Sequence, residues 1–183
     1  MWVAQIPKPA VPLASLHKLL YGYFPGIAPD ASRPFVYRIE RDSLILGSPI
    51  RPACDAREVT PEAGKAYQFD AILKPMNGGG RNPIIGNAAR REWVTRNVRG
   101  ANITFCEIHD LPDLTTHKGN GHRIMLPVCR AIGTITVTDP AAFVEFLARG
   151  GPGSGKVYGC GMWVLPELMG VTVGHRHPFE RRR

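Results

Sequence analysis

The sequence contains few cysteines, and none of them are spaced as metal-binding pairs. The chain has four, far apart and with no C-x-x-C motif: Cys54, Cys106, Cys129 and Cys160. This spacing argues against a zinc knuckle and favours a reduced, cytosolic setting.

Targeting and membrane signals are also absent. Residues 1–7 carry no basic stretch followed by a long apolar segment, so no signal peptide is expected. No apolar run is long enough to span a bilayer. We therefore expect a cytoplasmic protein with no membrane partner.

Negative charge is scarce. Fifteen acidic residues face 23 lysines and arginines, which gives a net charge of +8 and a pI of about 9.7. This balance favours an anionic partner, and nucleic acid before membrane, because no basic amphipathic helix stands out. Charge alone leaves open a basic protein without such a partner.

Glycine, in contrast, is concentrated between residues 150 and 161, which read GGPGSGKVYGCG and are called the glycine loop below. Glycine lets the backbone approach a ligand closely, and successive N–H groups in such a loop form a concave anion site. Lys156 adds a compact positive charge. The composition predicts a loop that binds phosphate.

Two kinds of phosphate ligand, and one bland alternative, fit this loop. Gly150, Gly155 and Lys156 match most of a nucleotide-binding P-loop, but Val157 stands where that motif has Ser or Thr. The loop also follows a helical pattern and leads into a strand, the reverse of a P-loop's context. A nucleic-acid backbone is the second ligand, and a plain glycine turn between helix and strand is the alternative.

The first half of the chain has the pattern β-α-β-β-α-β. A short strand precedes a helix with an apolar stripe at Leu13, Leu16, Leu20 and Phe24. Two alternating segments then predict a hairpin, a short helix is expected near residues 60–62, and residues 69–73 predict a further strand. This order is that of a ferredoxin-like or RNA-recognition fold.

The second half predicts the same order. It has a short strand at residues 83–85, a helix over residues 87–98, a strand up to His109, a polar loop over residues 112–123 and a long strand from Met125 to Val137. Asp139 and Pro140 then begin a helix, and the glycine loop leads to a last strand.

We therefore predict an α+β protein with tandem ferredoxin-like domains at residues 1–77 and 81–168 and a basic tail at 169–183. Residues 77–80 (NGGG) are the predicted linker. His175 and His177 in the tail lack a third metal ligand nearby, so a solvated tail is favoured.

Three segments resemble the CasE-type endoribonuclease family, the repeat-processing CRISPR-associated subunit of type I-E Cascade. Residues 16–25 read LHKLLYGYFP, similar to the family's L-H-x-x-L-W-x-x-F-P helix. Residues 33–40 and 44–48 resemble its first hairpin. Residues 151–161 resemble its G-x-G-x-x-K-x-x-G-C-G loop. The resemblance extends over nearly the whole chain.

The resemblance implies two ferredoxin-like halves that bind the hairpin of precursor CRISPR RNA. It further implies cleavage at the 3′ base without a metal or cofactor, and a product that stays bound as the guide's 3′ handle. In the family the helix histidine is catalytic, and it corresponds to His17 here; the loop lysine corresponds to Lys156. Other Cascade-type subunits, of type I-E or a type IV complex, are the implied protein partners.

Residues that carry positive charge or loop backbone are the predicted RNA contacts. They are Lys18, Arg90, Arg91, His117, Lys118, His122, Arg123, Gly151, Gly153, Ser154 and Gly155. For the arginines of the 87–98 helix, a solvated face is an equal alternative.

Alternatives remain at the level of activity. His17 taken alone fits a boundary histidine packed on its stem. Ala14 stands where many relatives have a tyrosine, so a non-cleaving hairpin-binding module of the same fold is the second hypothesis. A nucleotide-hydrolysing protein is the third.

Overall fold

The computed structural model describes residues 1–28, 33–77, 82–117 and 122–174. The strands in these ranges are β1 (Trp2–Pro7), β2 (Val36–Ile39), β3 (Ser43–Ser48), β4 (Arg57–Glu58), β5 (Ala66–Leu73), β6 (Met76–Asn77), β7 (Asn82–Pro83), β8 (Ala101–Asp110), β9 (Leu114–His117), β10 (Arg123–Leu126), β11 (Cys129–Val137) and β12 (Trp163–Val164). The helices are α1 (Leu13–Leu20), α2 (Asn87–Asn97), α3 (Pro140–Arg149) and α4 (Pro166–Met169), with 3-10 turns at Tyr21–Tyr23 and Lys156–Tyr158. The second 3-10 turn is called the lysine turn below.

The first sheet is antiparallel, in the order β2-β3-β1-β4. Helix α1 packs on it through the predicted apolar stripe, in which Leu16, Leu20 and Phe24 are buried. No helix forms near residues 60–62. The expected helix there is wrong, because the chain runs instead from β4, which pairs with the start of β1, towards β5.

The second sheet has the order β12-β5-β11-β8 and is also antiparallel. In both sheets the strands lie in the order fourth, first, third, second of a ferredoxin-like unit, although the first unit has no second helix among the described residues. The predicted α+β fold with tandem ferredoxin-like units is confirmed.

Strand β5 lies in the second sheet, whereas the sequence analysis placed it in the first half. All eight of its residues pair with β11, from Ala66 opposite Thr136 to Leu73 opposite Cys129. By sheet membership the chain therefore divides between β4 and β5, earlier than the predicted boundary. Strand order along a chain does not reveal which sheet a strand joins, and this explains the error.

The strands that flank the predicted linker and the predicted polar loop are paired. Strands β6 and β7 pair on either side of residues 78–81, which lie outside the described residues, so the linker glycines connect two paired strands rather than two sheets. Strands β9 and β10 likewise pair, with His117 opposite Arg123. The predicted strand Met125–Val137 is two strands, because Pro127 has no N–H to donate at the break.

Helix α3 begins and ends as its sequence predicts. The Asp139 carboxylate accepts hydrogen bonds from the N–H groups of Ala141 and Ala142 at 3.0 and 3.1 Å. Gly150 ends the helix in the left-handed conformation, and the core face at Phe143, Phe146 and Leu147 is buried. The glycine loop therefore starts from a well-defined helix end.

A buried charge cluster joins the two sheets. Arg38 of β2 lies 2.7 Å from the Asp70 carboxylate of β5. The Nε of Arg38 also lies 2.6 Å from the Glu40 carboxylate, and this contact is an ion pair whose angles do not meet those of a hydrogen bond. Arg130 of β11 contacts the other side of Asp70. Although burial opposes ionisation, these two guanidinium groups hold the pKa of Asp70 below its ordinary value.

The segment after α4 is docked on this cluster as far as residue 174. The Gly174 N–H donates to Glu40 at 3.0 Å, and its carbonyl accepts from Arg130 at 3.3 Å. The Gln5 amide exchanges hydrogen bonds with Thr172. The first residues of the predicted tail are thus attached to both sheets, while His175, His177 and the terminal arginines lie outside the described residues.

Candidate functional site

Helix α1, which carries His17, lies beside the glycine loop. The helix packs against the lysine turn and against β9. The Tyr37 hydroxyl fastens the same turn to β2 by donating to the Val157 carbonyl. The elements that carry His17 and Lys156, 139 positions apart in sequence, are therefore in contact.

The imidazole of His17 is half-buried and incompletely satisfied. Its Nδ1 is buried and has no hydrogen-bond partner among the described residues. Burial, followed by the charges of Lys18 and Arg33, lowers the pKa of His17. The backbone carbonyl of Ala14, one turn earlier, acts in the opposite direction, although its position relative to the imidazole does not meet the geometry of a hydrogen bond. The lowered pKa keeps the ring neutral at pH 7, the form that accepts a proton.

Lys156 is held at the carboxyl end of α3. Its Nζ donates to the Arg149 carbonyl at 2.7 Å, which uses one of its three protons. Burial, then the charges of Arg33 and Arg149, lower the pKa of Lys156. The ammonium is thus fixed in place and surrounded by like charge, an arrangement that favours binding of an anion.

Arg33 belongs to this cluster, although the sequence analysis gave it no functional role. It lies in the segment before β2, with its Cζ 5.7 Å from the centre of the Phe35 ring. Its Nη1 is buried without a hydrogen-bond partner in the described part of the chain. The available signal was weak: one arginine before a proline and an aromatic residue.

A basic groove runs beside these residues. Arg33, Arg149 and Lys156 line one end together with apolar side chains of β2 and α3. Arg149 and Lys156 also line an adjoining depression that extends to Arg99 and Pro152. Glu145 is the acidic residue in both linings, and it is ion-paired with Arg149 at 2.5 Å. Three of the residues that line the groove, Arg33, Arg149 and Lys156, are therefore basic, against one acidic residue.

The close approaches of the glycine loop are to the protein itself. A Cβ on Gly151 would lie 2.5 Å from Nε1 of the buried Trp163, and one on Gly153 would lie 2.9 Å from the Lys74 carbonyl. The Gly151 N–H is used by the Phe146 carbonyl. The first glycines therefore pack the loop on the second sheet.

The middle of the loop has free backbone donors. The N–H groups of residues 153–157 have no hydrogen-bond partner within the described ranges. The Ser154 hydroxyl is buried and also lacks a partner there. Consecutive unpaired N–H groups beside a lysine are suited to a phosphate oxygen. The P-loop interpretation is wrong, because the loop follows a helix and leads to a strand.

The other predicted contacts fall into two groups. His117, His122 and Arg123 are exposed on the β9–β10 hairpin, whose apolar side packs with Leu13 of α1; the predicted contact Lys118 lies outside the described residues. Lys18 is exposed on α1. The hairpin and α1 thus form one surface.

The α2 arginines differ from each other. Arg91 is exposed, but Arg90 donates to the Ile84 carbonyl at 3.0 Å and pairs with Asp110. The Arg90 side chain is therefore occupied by protein partners. Helix α2 reaches the glycine loop through Trp93, which lies against Gly153.

The described ranges contain neither a metal-binding cluster nor a membrane-spanning helix. They contain no group of three or more His, Cys, Asp or Glu side chains arranged to hold a metal ion. None of their helices has both the length and the apolar character needed to cross a bilayer.

Several solved structures that share this fold are CRISPR-associated proteins. One is the CRISPR-associated protein Cas6e from Escherichia coli str. K-12, with a TM-score of 0.70, 20% identity, and coverage of 90% of this chain and 98% of that one. Another is the CRISPR endoribonuclease Cse3 bound to 19 nt RNA, with a TM-score of 0.74, 18% identity, and coverage of 90% and 99%. A third is a CRISPR RNA-guided surveillance complex, with a TM-score of 0.62, 21% identity, and coverage of 90% and 98%.

The tandem ferredoxin-like architecture is therefore shared with these proteins along nearly their whole length. In sequence, residues 8–166 match the family model described as CRISPR associated protein. The chain belongs to this family, which confirms the resemblance found from its motifs. No curated protein sequence matches the chain.

Proposed function

We propose that this protein is a CRISPR endoribonuclease. It binds the repeat hairpin of precursor CRISPR RNA, cleaves at the 3′ base of the hairpin, and stays on the crRNA 3′ handle as a subunit of a Cascade-type effector. The main supporting observation is a cluster of two buried polar atoms near Lys156, Arg33 Nη1 and Ser154 Oγ, which have no hydrogen-bond partner among the described residues.

Such a cluster is costly without a ligand. Each unsatisfied buried polar group costs about 1–3 kcal/mol, so their presence in one place beside a basic groove favours an anionic ligand that completes them. The names of the similar structures, a CRISPR endoribonuclease bound to RNA and an RNA-guided surveillance complex, support RNA as that ligand.

The chemistry needs no metal-bound water, because RNA carries its own nucleophile. The 2′-oxygen attacks the adjacent phosphorus, the P–O5′ bond breaks, and the 5′-oxygen takes up a proton. The products are a 2′,3′-cyclic phosphate and a 5′-hydroxyl. Charge on the phosphate oxygens increases as the reaction proceeds, and donors fixed in advance lower this barrier.

In this mechanism His17 takes the proton from the 2′-hydroxyl. The lowered pKa leaves its ring neutral before the reaction, and the burial of Nδ1 leaves Nε2 as the nitrogen available to RNA. Lys156 and the free N–H groups of residues 153–157 stabilise the phosphate charge. The β9–β10 hairpin and Lys18 bind the backbone of the RNA hairpin, which is recognised mainly by shape and phosphate contacts.

The test is cleavage of an end-labelled cognate repeat hairpin in EDTA, with the product termini identified by mass spectrometry. His17→Ala should cut about 10²- to 10⁴-fold more slowly, the range for loss of a general acid or base, while it keeps hairpin binding. His109→Ala is the matched control, because His109 is exposed on β8 and its one ion pair among the described residues is with Glu107 at 3.5 Å.

Three results would contradict the proposal. Binding without cleavage by the wild-type protein would support the non-cleaving module instead. Cleavage only when a divalent metal is added would refute the metal-independent mechanism. An unchanged rate for His17→Ala would remove its assigned role.

A further inference from the structure

We propose that Arg33 binds the scissile phosphate together with Lys156, and so is a further catalytic residue of this site. This role rests on the function proposed above. It deepens that function by assigning the reacting phosphate a guanidinium ligand that motif comparison alone did not indicate.

The position of Arg33 is determined by packing against the His17 element. Pro34 restricts its backbone to extended conformations. Its guanidinium lies over Phe35, and that ring stacks on Phe24 and meets the edge of Tyr21, each at 5.2 Å between centroids. Phe24 and Tyr21 follow directly on α1. The Phe35 ring under Arg33 therefore packs against the residues that follow the helix carrying His17.

The same guanidinium also reaches the groove of Lys156. Arg33 and Lys156 line one groove, with β2 on one side and α3 on the other. Lys156 supplies a point charge, whereas the guanidinium of Arg33 supplies a planar pair of N–H donors that matches two phosphate oxygens. The two side chains together provide the charge and the geometry that one phosphate needs.

Among the described residues, Arg33 lacks the acidic partner that other buried arginines have. Arg38 and Arg130 both pair with Asp70, and Arg90 pairs with Asp110. Arg33 has no ion pair with the described residues, and its Nη1 is buried and has no hydrogen-bond partner among them. A guanidinium stays charged in proteins and is suited to bind an anion, and the phosphate of the proposed substrate is that anion here.

The electrostatics agree with this geometry. After burial, the charge of Arg33 is among the causes that lower the pKa of both His17 and Lys156. Arg33 is therefore close enough to act electrostatically on both side chains, which come from separate segments. The repulsion between the charges of Arg33 and Lys156 is relieved when a phosphate binds between them.

The experiment compares Arg33→Met and Arg33→Lys with Arg41→Met. Arg41 lies beyond the opposite end of β2, and its side chain is 74% exposed, so its removal changes net charge without touching the groove. The substrate is the repeat hairpin, cut under single-turnover conditions with subsaturating protein. A hairpin with a 2′-deoxy nucleotide at the cleavage position measures binding separately.

Arg33→Met should cut about 10²-fold more slowly, the loss typical of removing one transition-state donor. Arg33→Lys should lie between it and the wild type, because it keeps the charge and loses the planar pair of donors. Binding of the 2′-deoxy hairpin should change far less than the rate, since one phosphate contact among many is lost.

The pH–rate profile separates this role from a purely structural one. Arg33→Met removes a cation that lowers the pKa of His17, so the rising limb of the profile should move to higher pH. Arg33→Lys keeps the cation and should leave the midpoint of that limb in place. The other titratable or charged groups on α1, on the two 3-10 turns and on β9 are Lys18, Tyr21, Tyr23, Lys156, Tyr158 and His117, and Tyr37 of β2 faces α1 from the first sheet. All are unchanged in these variants.

Each outcome decides the proposal. If the wild-type protein leaves the hairpin uncut, the proposed function fails and this role fails with it. If the wild type cuts and Arg33→Met matches Arg41→Met in rate and profile, the role of Arg33 alone is refuted. If circular dichroism shows that Arg33→Met is unfolded, Arg33→Lys decides: a reduced rate supports the role, and a wild-type rate refutes it.

Discussion

Replacing Asp70 by asparagine should be strongly destabilising, because Asp70 neutralises a buried cluster. Arg38 and Arg130 supply two positive charges there, and Asp70 and Glu40 supply two negative ones. In Asp70→Asn one positive charge is left uncompensated. Arg38 cannot escape to water, since only 1% of its surface is exposed.

The expected loss follows from that burial. Breaking a buried ion pair by removing one partner costs about 3–5 kcal/mol. Arg130 retains 17% exposure of its side chain and Glu40 still faces Arg38, so the lower end, about 3 kcal/mol, applies here. For a chain of this size the melting temperature should fall by roughly 6–12 °C.

Urea denaturation at neutral pH measures this loss, with Asp42→Asn as the control. Asp42 has the same chemistry, but its side chain is 89% exposed and its distance to Arg41 is 3.9 Å, so its loss should be close to zero. A loss for Asp70→Asn no larger than that for Asp42→Asn would refute the reasoning.

Acid provides a second check on the same variant. The pKa of Asp70 is held below the ordinary 3.8, so its stabilisation is present above that value and is lost as the pH falls through the lowered pKa of the folded state. The difference between wild type and Asp70→Asn should therefore shrink in strong acid.

Two further predictions concern the loop and the reaction. Gly151→Ala forces a Cβ to within 2.5 Å of the buried Trp163 ring at a positive φ of 53°, while Gly64→Ala has a similar φ of 77° with open space around it. The free energy of unfolding, measured in urea, should therefore fall by about 1–3 kcal/mol more for Gly151→Ala than for Gly64→Ala, which is the cost of overpacking. Equal losses would show that the Trp163 ring moves aside without a cost in stability. In wild-type protein, the second-order rate of hairpin cleavage should rise with pH through a midpoint below 6.5, because the pKa of His17 is lowered and the neutral ring is the active base. It should fall again at alkaline pH below 10.5, where Lys156 loses its proton. A rate that decreases through the His17 midpoint would instead identify His17 as a general acid.

Local features of the fold were well predicted from the sequence. The stripe of α1 identified a buried face because its period matches the helix, and Asp139 with Pro140 identified the start of α3 because both act within one turn. The glycine loop was likewise found from composition. In each case the physical cause lies within a few residues of the feature.

Pairing across the chain was predicted less well. Nothing in β5 indicates that its partner is β11, and the glycine run at residues 78–80 fits a linker as well as a hairpin. The role proposed for Arg33 could not be predicted for the same reason, since it depends on the lack of an acidic partner among the described residues. The roles of His17 and Lys156 stay predictions until cleavage is measured.

The anchoring of Lys156 on the last carbonyl of α3 limits how this region can change. One residue inserted into or deleted from the helix would turn its final carbonyl by about 100° around the axis, at 3.6 residues per turn. The ammonium would then be anchored on another side, away from Arg33. Substitutions on the solvent face of α3 are therefore tolerable, whereas its length is not free to vary.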